Sequence, residues 1–374
     1  MADPWIRTAA ELDDLVAELS RSRAIGIDTE GDSLHHYTDK VCLIQVSAFG
    51  GGAWLVDPLA ITDLSPLAPV LTDRSIVKVV HGGENDVTSL RREFGFAFKT
   101  MFDTAIAARL LGDAEVGLQA LVRNELGIEL DKSSQRDDWS KRPLTERQER
   151  YALADVEHLM ALATRMTARL AAAGRTEWAR EEFEALAELE AAEKRRGPDE
   201  FRRIKGSAAL SPRGQAILRE LHVWREARAE AADCPPFKVV APDVLVALAE
   251  EMPETVEEVQ RMVRRFPRAA GEAEALLDAI DRGLDLPDEE LPARERGERP
   301  FVSPATKRRL EALRVWRREQ AERSKLDPAI VLSEKLAQRV AAAAPQTKAD
   351  LLAVDGLRRW RVHEWGDALL DACA

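Results

Sequence analysis

The chain has 374 residues, of which 45% are hydrophobic, and a formal net charge of −12 at pH 7. This length is enough for two or three domains with cores of their own. The acidic balance argues against a dedicated nucleic-acid coat protein, which would be strongly basic, although charge can be segregated between domains. Basic clusters do occur, mostly in the C-terminal half, at residues 91–94, 201–206, 261–266, 307–319 and 357–361.

Other sequence features bear on location. No run of about 18 apolar residues is present to span a membrane. The N-terminus lacks a basic region followed by an apolar stretch, as a secretory signal would have. The three cysteines, Cys42, Cys234 and Cys373, are too far apart to indicate a disulfide framework or a zinc site. We therefore expect a cytoplasmic protein that has no membrane partner.

The first half of the chain predicts a mixed α/β sheet. Short, β-branched or alternating segments predict four strands, at 24–30, 40–48, 53–59 and 75–82. Apolar residues at helical spacing predict helices at 10–20, 83–94, 103–112, 117–126 and 145–173. A strand hairpin followed by alternating helices and strands is typical of a mixed sheet with flanking helices.

From about residue 175 the pattern predicts helices only, with linkers at 194–200 and 285–304. Residues 218–236 align without gaps with residues 310–328 at a constant offset of 92, so that Trp224 matches Trp316. Two copies indicate an internal duplication of a small helical domain. We expect both tryptophans to pack in the domain cores.

Carboxylates recur at positions that favour a shared site. Asp28 and Glu30 stand two apart on a strand and so project from one face, where a divalent cation would relieve their repulsion. A strand end that reaches solvent is the ordinary alternative. Asp86 follows the fourth strand at a helix start, where the dipole alone favours an acid. Tyr151 and Asp155 share a helix face, which an amphipathic helix would also explain.

In this order, the Asp-x-Glu strand, the Asp after His-Gly-Gly-Glu-Asn and the Tyr-x-x-x-Asp helix resemble the motifs of DEDD exonucleases. The tyrosine marks the DEDDy branch, and the stretches between the motifs resemble the ribonuclease D family. The duplicated segment is similar to the HRDC domain. The resemblance implies a ribonuclease-H-like sheet with flanking helices at 1–192, and two all-α HRDC bundles at 207–286 and 304–374.

The resemblance also implies a function. It is that of a 3′-5′ exoribonuclease that trims RNA 3′ ends, tRNA precursors first, and releases nucleoside 5′-monophosphates. Two divalent ions, Mg²⁺ or Mn²⁺, would be held by Asp28, Glu30, Asp86 and Asp155. Tyr151 would orient the attacking water, because a phenol with a pKa near 10 is a poor base at pH 7. The partner would be RNA with a free 3′ end, acted on by a monomer without a nucleotide cofactor.

Substrate contacts are less specific in the sequence. The family assigns Glu30 a hydrogen bond from the 3′-hydroxyl, and His81 either contacts substrate or caps a helix. Residues 131–144 offer candidate backbone and base contacts at Lys132, Gln135, Trp139 and Arg142, although Trp139 equally suits packing that anchors a loop. A DNA 3′-5′ exonuclease stays open, since metal chemistry is blind to the sugar. An inactive binding scaffold would have lost one of the acids.

Overall fold

The computed structural model describes residues 3–131, 133–191, 197–292 and 303–374. The chain forms two compact units. The first unit comprises residues 1–31, 41–192 and 301–374, and the second comprises residues 32–40 and 193–300. The second repeat therefore belongs to the same unit as the sheet, whereas the first repeat belongs to the other unit. The predicted boundaries of three separate domains stay a prediction.

One mixed sheet forms the centre of the first unit. Its strands are β1 (Trp5–Ile6), β2 (Ala24–Gly31), β3 (Val41–Ala48), β4 (Ala53–Val56), β5 (Val77–Val80) and β6 (Met101–Asp103). Their order across the sheet is β1-β4-β3-β2-β5-β6. Strand β3 runs antiparallel to β2 and β4, and the remaining pairs are parallel. The sheet confirms the predicted mixed α/β class and adds two short edge strands that the sequence pattern did not reveal.

The two faces of strand β2 have different chemistry. Ile25 and Ile27 point into the main hydrophobic core together with Ile44 and Val46 of β3. Side chains alternate along a strand, so Asp28 lies on the opposite face. That second face is covered by a smaller apolar cluster formed by Trp5, Cys42, Leu43, Leu55, Trp139, Leu144, Tyr151 and Ala152.

Eight helices accompany the sheet among the described residues before 192. They are α1 (Ala9–Leu19), α2 (Ala68–Thr72), α3 (Glu84–Phe94), α4 (Thr104–Leu111), α5 (Leu118–Leu126), α6 (Glu146–Glu157), α7 (Leu159–Ala172) and α8 (Thr176–Ala187). The single helix predicted over 145–173 is therefore two helices that meet at His158. The break lets α6 pack on strands β3 and β4 while α7 packs on α4 and α5. A uniform apolar spacing cannot reveal such a change of partner.

The second unit is helical in its described part. Its helices are α9 (Pro212–Ala231), α10 (Pro236–Val239), α11 (Pro242–Glu251), α12 (Val256–Val263), α13 (Pro267–Gly271) and α14 (Ala273–Leu284). Trp224 is buried in their common core, as predicted. The segment 32–40 belongs to this unit, where the Nδ1 atom of His36 lies 2.7 Å from a carboxylate oxygen of Asp233.

The second repeat shares its core with the sheet domain. Its helices are α15 (Pro304–Ser324), α16 (Pro328–Val331), α17 (Glu334–Ala343), α18 (Lys348–Leu352) and α19 (Arg359–Cys373). Trp316 is partly buried and packs against that core, which agrees with the prediction. No helix in the described part of the chain is both long and apolar enough to cross a membrane.

Two polar contacts fix the second repeat on the sheet domain. Arg175 donates hydrogen bonds to the carbonyl oxygens of Leu110 at 2.7 Å and of Ser324 at 3.2 Å, and so joins α4 to the end of α15. Arg361 of α19 donates to the Glu182 carboxylate of α8 at 2.6 Å. Since these contacts accompany a continuous apolar core, the repeat is an integral part of the first unit.

Candidate active site

Three carboxylates meet on the second face of the sheet. Asp28, Glu30 and Asp155 each place an oxygen so that all three atoms lie within 4.8 Å of one another. Asp28 and Glu30 come from strand β2, and Asp155 comes from helix α6. The pairing of β2 with β3 shifts register directly after Glu30, which ends the regular strand at the cluster. Sequence reasoning thus placed these three acids together correctly.

The position of Asp155 depends on a close approach between helix α6 and the sheet. The hydroxyl of Ser47 on β3 donates a hydrogen bond to the carbonyl oxygen of Val156 at 2.9 Å. Gly26 lies opposite Ser47 on β2, and a Cβ atom there would collide with the same hydroxyl. Gly26 therefore leaves the space that lets Ser47 hold the helix, and with it Asp155, over the strand.

The fourth acid, Asp86, is buried in the first turn of helix α3. The turn before this helix is held by Asp103, whose carboxylate accepts backbone N–H bonds from Gly82 at 3.1 Å and Gly83 at 2.8 Å. The same carboxylate caps helix α4 by accepting from the backbone amides of Ala105 and Ile106. Asp103 thereby joins the start of α3 to the start of α4.

A hydroxyl on strand β2, which carries Asp28 and Glu30, contacts Asp86 directly. Thr29 of strand β2 donates a hydrogen bond to a carboxylate oxygen of Asp86. Asp86 also acts electrostatically on Asp28, Glu30 and Asp155, because its negative charge raises the pKa of all three. The four predicted acids consequently form one electrostatic group, even though only three of them form the tightest cluster.

Burial makes this group difficult to ionise without a counterion. Desolvation, together with the neighbouring carboxylates, raises the pKa of Glu30 to about 9 and that of Asp155 to about 7. Desolvation also raises the pKa of Asp86 to about 6, against the hydrogen bond from Thr29, and that of Asp28 well above its usual range. Buried carboxylates that repel one another suit a hard divalent cation, which oxygen ligands prefer to bind.

Tyr151 lies beside the carboxylates as a buried phenol. Burial, followed by the charges of Asp155, Glu30 and Asp28, raises its pKa far above that of free tyrosine. A hydrogen bond between the Tyr151 hydroxyl and Asp155 partly offsets the rise in the pKa of the aspartate. The phenol is therefore neutral at physiological pH, and it can orient a ligand but cannot accept a proton as a phenolate.

Two of the predicted substrate contacts have structural partners instead. Trp139 is 1% exposed, and its ring packs against that of Tyr151 with centroids 6.0 Å apart. It has no exposed face on which a base could stack, so the packing alternative describes it correctly. Arg142 donates two hydrogen bonds to the carboxylate of Asp57, at 2.7 and 2.8 Å, and a third to the carbonyl oxygen of Cys42. Its assignment to a substrate phosphate is corrected accordingly.

The other predicted contacts differ in position. The Nδ1 atom of His81 lies 2.8 Å from the hydroxyl of Thr104, and burial lowers the pKa of the imidazole. Gly83 is the N-cap residue of helix α3, and no side chain caps this helix, so His81 does not cap it. Gln135 is exposed on the loop before α6, which leaves it available to substrate. Lys132 lies outside the described residues.

Sequence reasoning did not identify three residues that shape the site. Thr29 and Asp103 hold Asp86, and the charge of Asp137 adds to the rise in the pKa of Glu30. For Asp103 a signal existed, because an aspartate at the start of a predicted helix is a favoured N-cap. The position of Thr29 between two acids gave no comparable indication, since alternation predicts that its side chain points to the other face.

Comparison with known proteins identifies the family. Residues 4–171 match the 3′-5′ exonuclease domain, and residues 214–268 and 306–373 match the HRDC domain. The chain is 32% identical to ribonuclease D of Pseudomonas paraeruginosa over 98% of its own length and 96% of that protein. It is 33% identical to ribonuclease D of a Jannaschia species, over 88% of this chain and 86% of that protein.

A solved structure shows the same relationship. The fold is similar to that of Escherichia coli RNase D, an exoribonuclease involved in structured RNA processing, with a TM-score of 0.71 and 26% identity. The match covers 100% of this chain and 98% of the other. The relatives, the matched domains and the acidic cluster lead to one conclusion. The chain belongs to the ribonuclease D family and is a 3′-5′ exoribonuclease.

Proposed function

We propose that this exoribonuclease hydrolyses the 3′-terminal phosphodiester bond of tRNA precursors, using two divalent ions, Mg²⁺ or Mn²⁺, and releasing nucleoside 5′-monophosphates. The observation that carries the proposal is the cluster of the half-buried Asp28 and Glu30 with the buried Asp155, whose oxygens lie within 4.8 Å of one another. The names of the relatives support RNA as the substrate, and the role of E. coli RNase D in structured RNA processing supports a folded precursor.

The four acids have a common task in this reaction. Asp28, Glu30, Asp86 and Asp155 hold the ions, and their raised pKa values mean that protons leave the site when the ions enter. Divalent ions held there would supply Lewis-acid chemistry, which lowers the pKa of a water and stabilises negative charge on the departing 3′ oxygen. The apolar cluster on this face borders the carboxylates, and the low polarity of such surroundings strengthens electrostatic contacts.

Tyr151 orients the attacking water. Its hydroxyl is held next to Asp155, and Trp139 restrains the ring from behind. Because its pKa is raised, the phenol stays protonated and acts through a hydrogen bond. Removing the hydroxyl should slow hydrolysis without removing a metal ligand.

The remaining assignments concern substrate and assembly. Glu30 accepts a hydrogen bond from the terminal 3′-hydroxyl, and Gln135 and Lys132 contact the RNA backbone. The Nδ1 atom of His81 is engaged with the hydroxyl of Thr104, so His81 contacts the substrate through its Nε2 atom. A monomeric state, a cytoplasmic location and independence from nucleotide cofactors stay predictions from the sequence.

One gel assay tests the proposal. A 3′-extended tRNA precursor and a DNA strand of matched sequence are incubated with Mg²⁺, Mn²⁺ or a chelator, using the wild type and Asp28→Asn. We expect stepwise shortening of the RNA that needs metal and is lost in the variant. Activity that survives the chelator or the substitution would contradict the metal mechanism, and faster loss of the DNA would favour a DNA exonuclease.

A further inference from the structure

A buried amide next to the carboxylates has no partner in the described part of the chain. Gln45 of strand β3 is 0% exposed. Neither its Nε2 nor its Oε1 atom makes a hydrogen bond to any described residue. A buried amide without partners destabilises a fold, because it has lost its bonds to water and gained none. Most such groups in native proteins have a partner, so an exception at this place requires an explanation.

The position of Gln45 indicates what the amide is for. In the antiparallel pairing of β2 with β3, Gln45 lies directly opposite Asp28. Directly opposite residues point to the same face, with Cβ atoms about 4.5–5.5 Å apart. The amide is thus on the carboxylate face of the sheet, beside Asp28.

The other neighbours of Gln45 within the sheet offer no equivalent acceptor. Leu43 precedes it on the same face of β3, and Leu55 lies opposite it on β4. Ser47 follows on that face, but its hydroxyl already donates to the carbonyl oxygen of Val156. Asp28 is therefore the anionic acceptor nearest in register, and a charged acceptor forms the stronger hydrogen bond.

We propose that Gln45 is a positioning residue, whose amide N–H donates to Asp28 and holds this carboxylate in the orientation that binds a divalent ion. The proposal rests on the metal site of the proposed function. Carboxylates that ligate an ion are usually held by a hydrogen bond from a neighbouring group, which fixes the orientation of the side chain. Gln45 supplies that donor from a neighbouring strand, where the backbone ladder keeps it rigid.

The proposed role of Gln45 predicts that removing its amide leaves the stability of the protein unchanged or higher but lowers its affinity for metal. Measuring both quantities therefore tests the proposal. Gln45→Met has a similar length but no polar atoms, so it removes the unpaired amide from the interior. We expect its unfolding midpoint in chelator to be equal to or higher than that of the wild type. We expect its affinity for Mn²⁺, measured by calorimetry, to fall by about 10–100-fold. Its activity should then recover at proportionally higher Mn²⁺.

Two further variants complete the experiment. Gln45→Asn keeps the donor but is one methylene shorter, so it should be less stable than Gln45→Met yet bind Mn²⁺ more tightly. Gln215, a buried glutamine in the second unit whose Oε1 is also unpaired, supplies the matched control. Gln215→Met should leave Mn²⁺ affinity unchanged.

The results distinguish the alternatives. A Gln45→Met protein that binds Mn²⁺ as the wild type does would overturn the positioning role. So would a parallel loss of stability and affinity in the Met and Asn variants, since that pattern indicates damaged packing. If the wild type itself failed to bind Mn²⁺, the metal site of the proposed function would be wrong, and this outcome is separate from the other two.

Discussion

The indole of Trp178 stacks on the indole of Trp360, with ring centroids 4.3 Å apart and planes 18° from parallel. Trp178 belongs to helix α8 of the sheet domain, and Trp360 belongs to helix α19 of the second repeat. Trp365 packs edge-on against both rings, at 5.4 Å from each. Such aromatic pairs stabilise a core beyond the area that they bury. The nuclease and the second HRDC repeat therefore share one hydrophobic core.

We expect Trp360→Ala to destabilise the whole first unit. Removing a buried tryptophan leaves a cavity, which costs about 3–5 kcal/mol in the free energy of unfolding. The loss should appear as a lower urea midpoint, followed by circular dichroism. Leu352→Ala, at an exposed apolar position of the same repeat, is the matched control and should change little. Equal midpoints for the two variants would show that the stacked pair does not hold the unit together.

The metal-free protein should lose stability as the pH rises from about 4 to 9. An unfolded chain releases its carboxyl protons near pH 4, about the usual value for these groups. The folded site retains its protons until pH reaches about 6 at Asp86, about 7 at Asp155 and about 9 at Glu30. The folded state thus binds more protons in this window, so the free energy of unfolding falls with increasing pH.

Urea denaturation at pH 5, 7 and 9 in chelator, compared with Glu30→Gln, checks this dependence. The variant carries no titrating group at that position, so its stability should fall less steeply between pH 7 and 9. Added Mg²⁺ should flatten the wild-type curve, because it binds the deprotonated carboxylates. Identical slopes for wild type and variant in chelator would mean that Glu30 ionises normally.

Tyr151→Phe should slow hydrolysis roughly 100-fold, the usual effect of losing one well-placed hydrogen-bonding group at a reaction centre. The ring still packs on Trp139, so the fold and the affinity for Mn²⁺ should be retained. Single-turnover cleavage of a labelled RNA and calorimetry with Mn²⁺ measure the two quantities. Tyr37→Phe removes the hydroxyl of the other tyrosine and should leave both unchanged. Loss of Mn²⁺ binding in Tyr151→Phe would contradict the role in orienting water.

Thr29→Val should weaken metal binding while the fold stays intact. The substitution keeps the shape of the side chain but removes the hydroxyl that donates to Asp86. Groups that orient metal ligands typically contribute about 10–100-fold in affinity or activity. Thr88→Val, on the same helix as Asp86, removes a hydroxyl that bonds only to the helix backbone and serves as the control. Equal Mn²⁺ affinity in the two variants would show that Thr29 does not position the acid.

Much of the site could be predicted because strand and helix periodicities fix which side chains share a face. Spacing alone predicts that Asp28 and Glu30 share one face of a strand and that Tyr151 and Asp155 share one face of a helix. That the two pairs lie together in one site was predicted only from the resemblance to a known family. The partners of long side chains were not predictable. Arg142 suits a phosphate as well as it suits Asp57, and only the folded structure decides between the two. Trp139 was ambiguous for the same reason.

The packing of the second repeat against the nuclease was not predicted, although a difference between the two repeats in the sequence indicates it. Trp360 and Trp365 lie beyond residues 310–328, the stretch that aligns with the first repeat without gaps, and residues 237–286 of the first repeat contain no tryptophan. The aromatic residues that contact α8 are thus where the two copies differ. A pattern that both copies share reports the fold of each repeat, and only such differences report what each copy packs against.

The position of Asp103 has a consequence for mutational scanning. This acid is 0% exposed and accepts four backbone N–H bonds from two chain segments, yet it is not one of the metal-cluster carboxylates. Its replacement would release the turn that places Asp86 and would silence the enzyme as completely as a lost ligand. A mutational survey that records only loss of activity would therefore wrongly include Asp103 among the metal-binding acids.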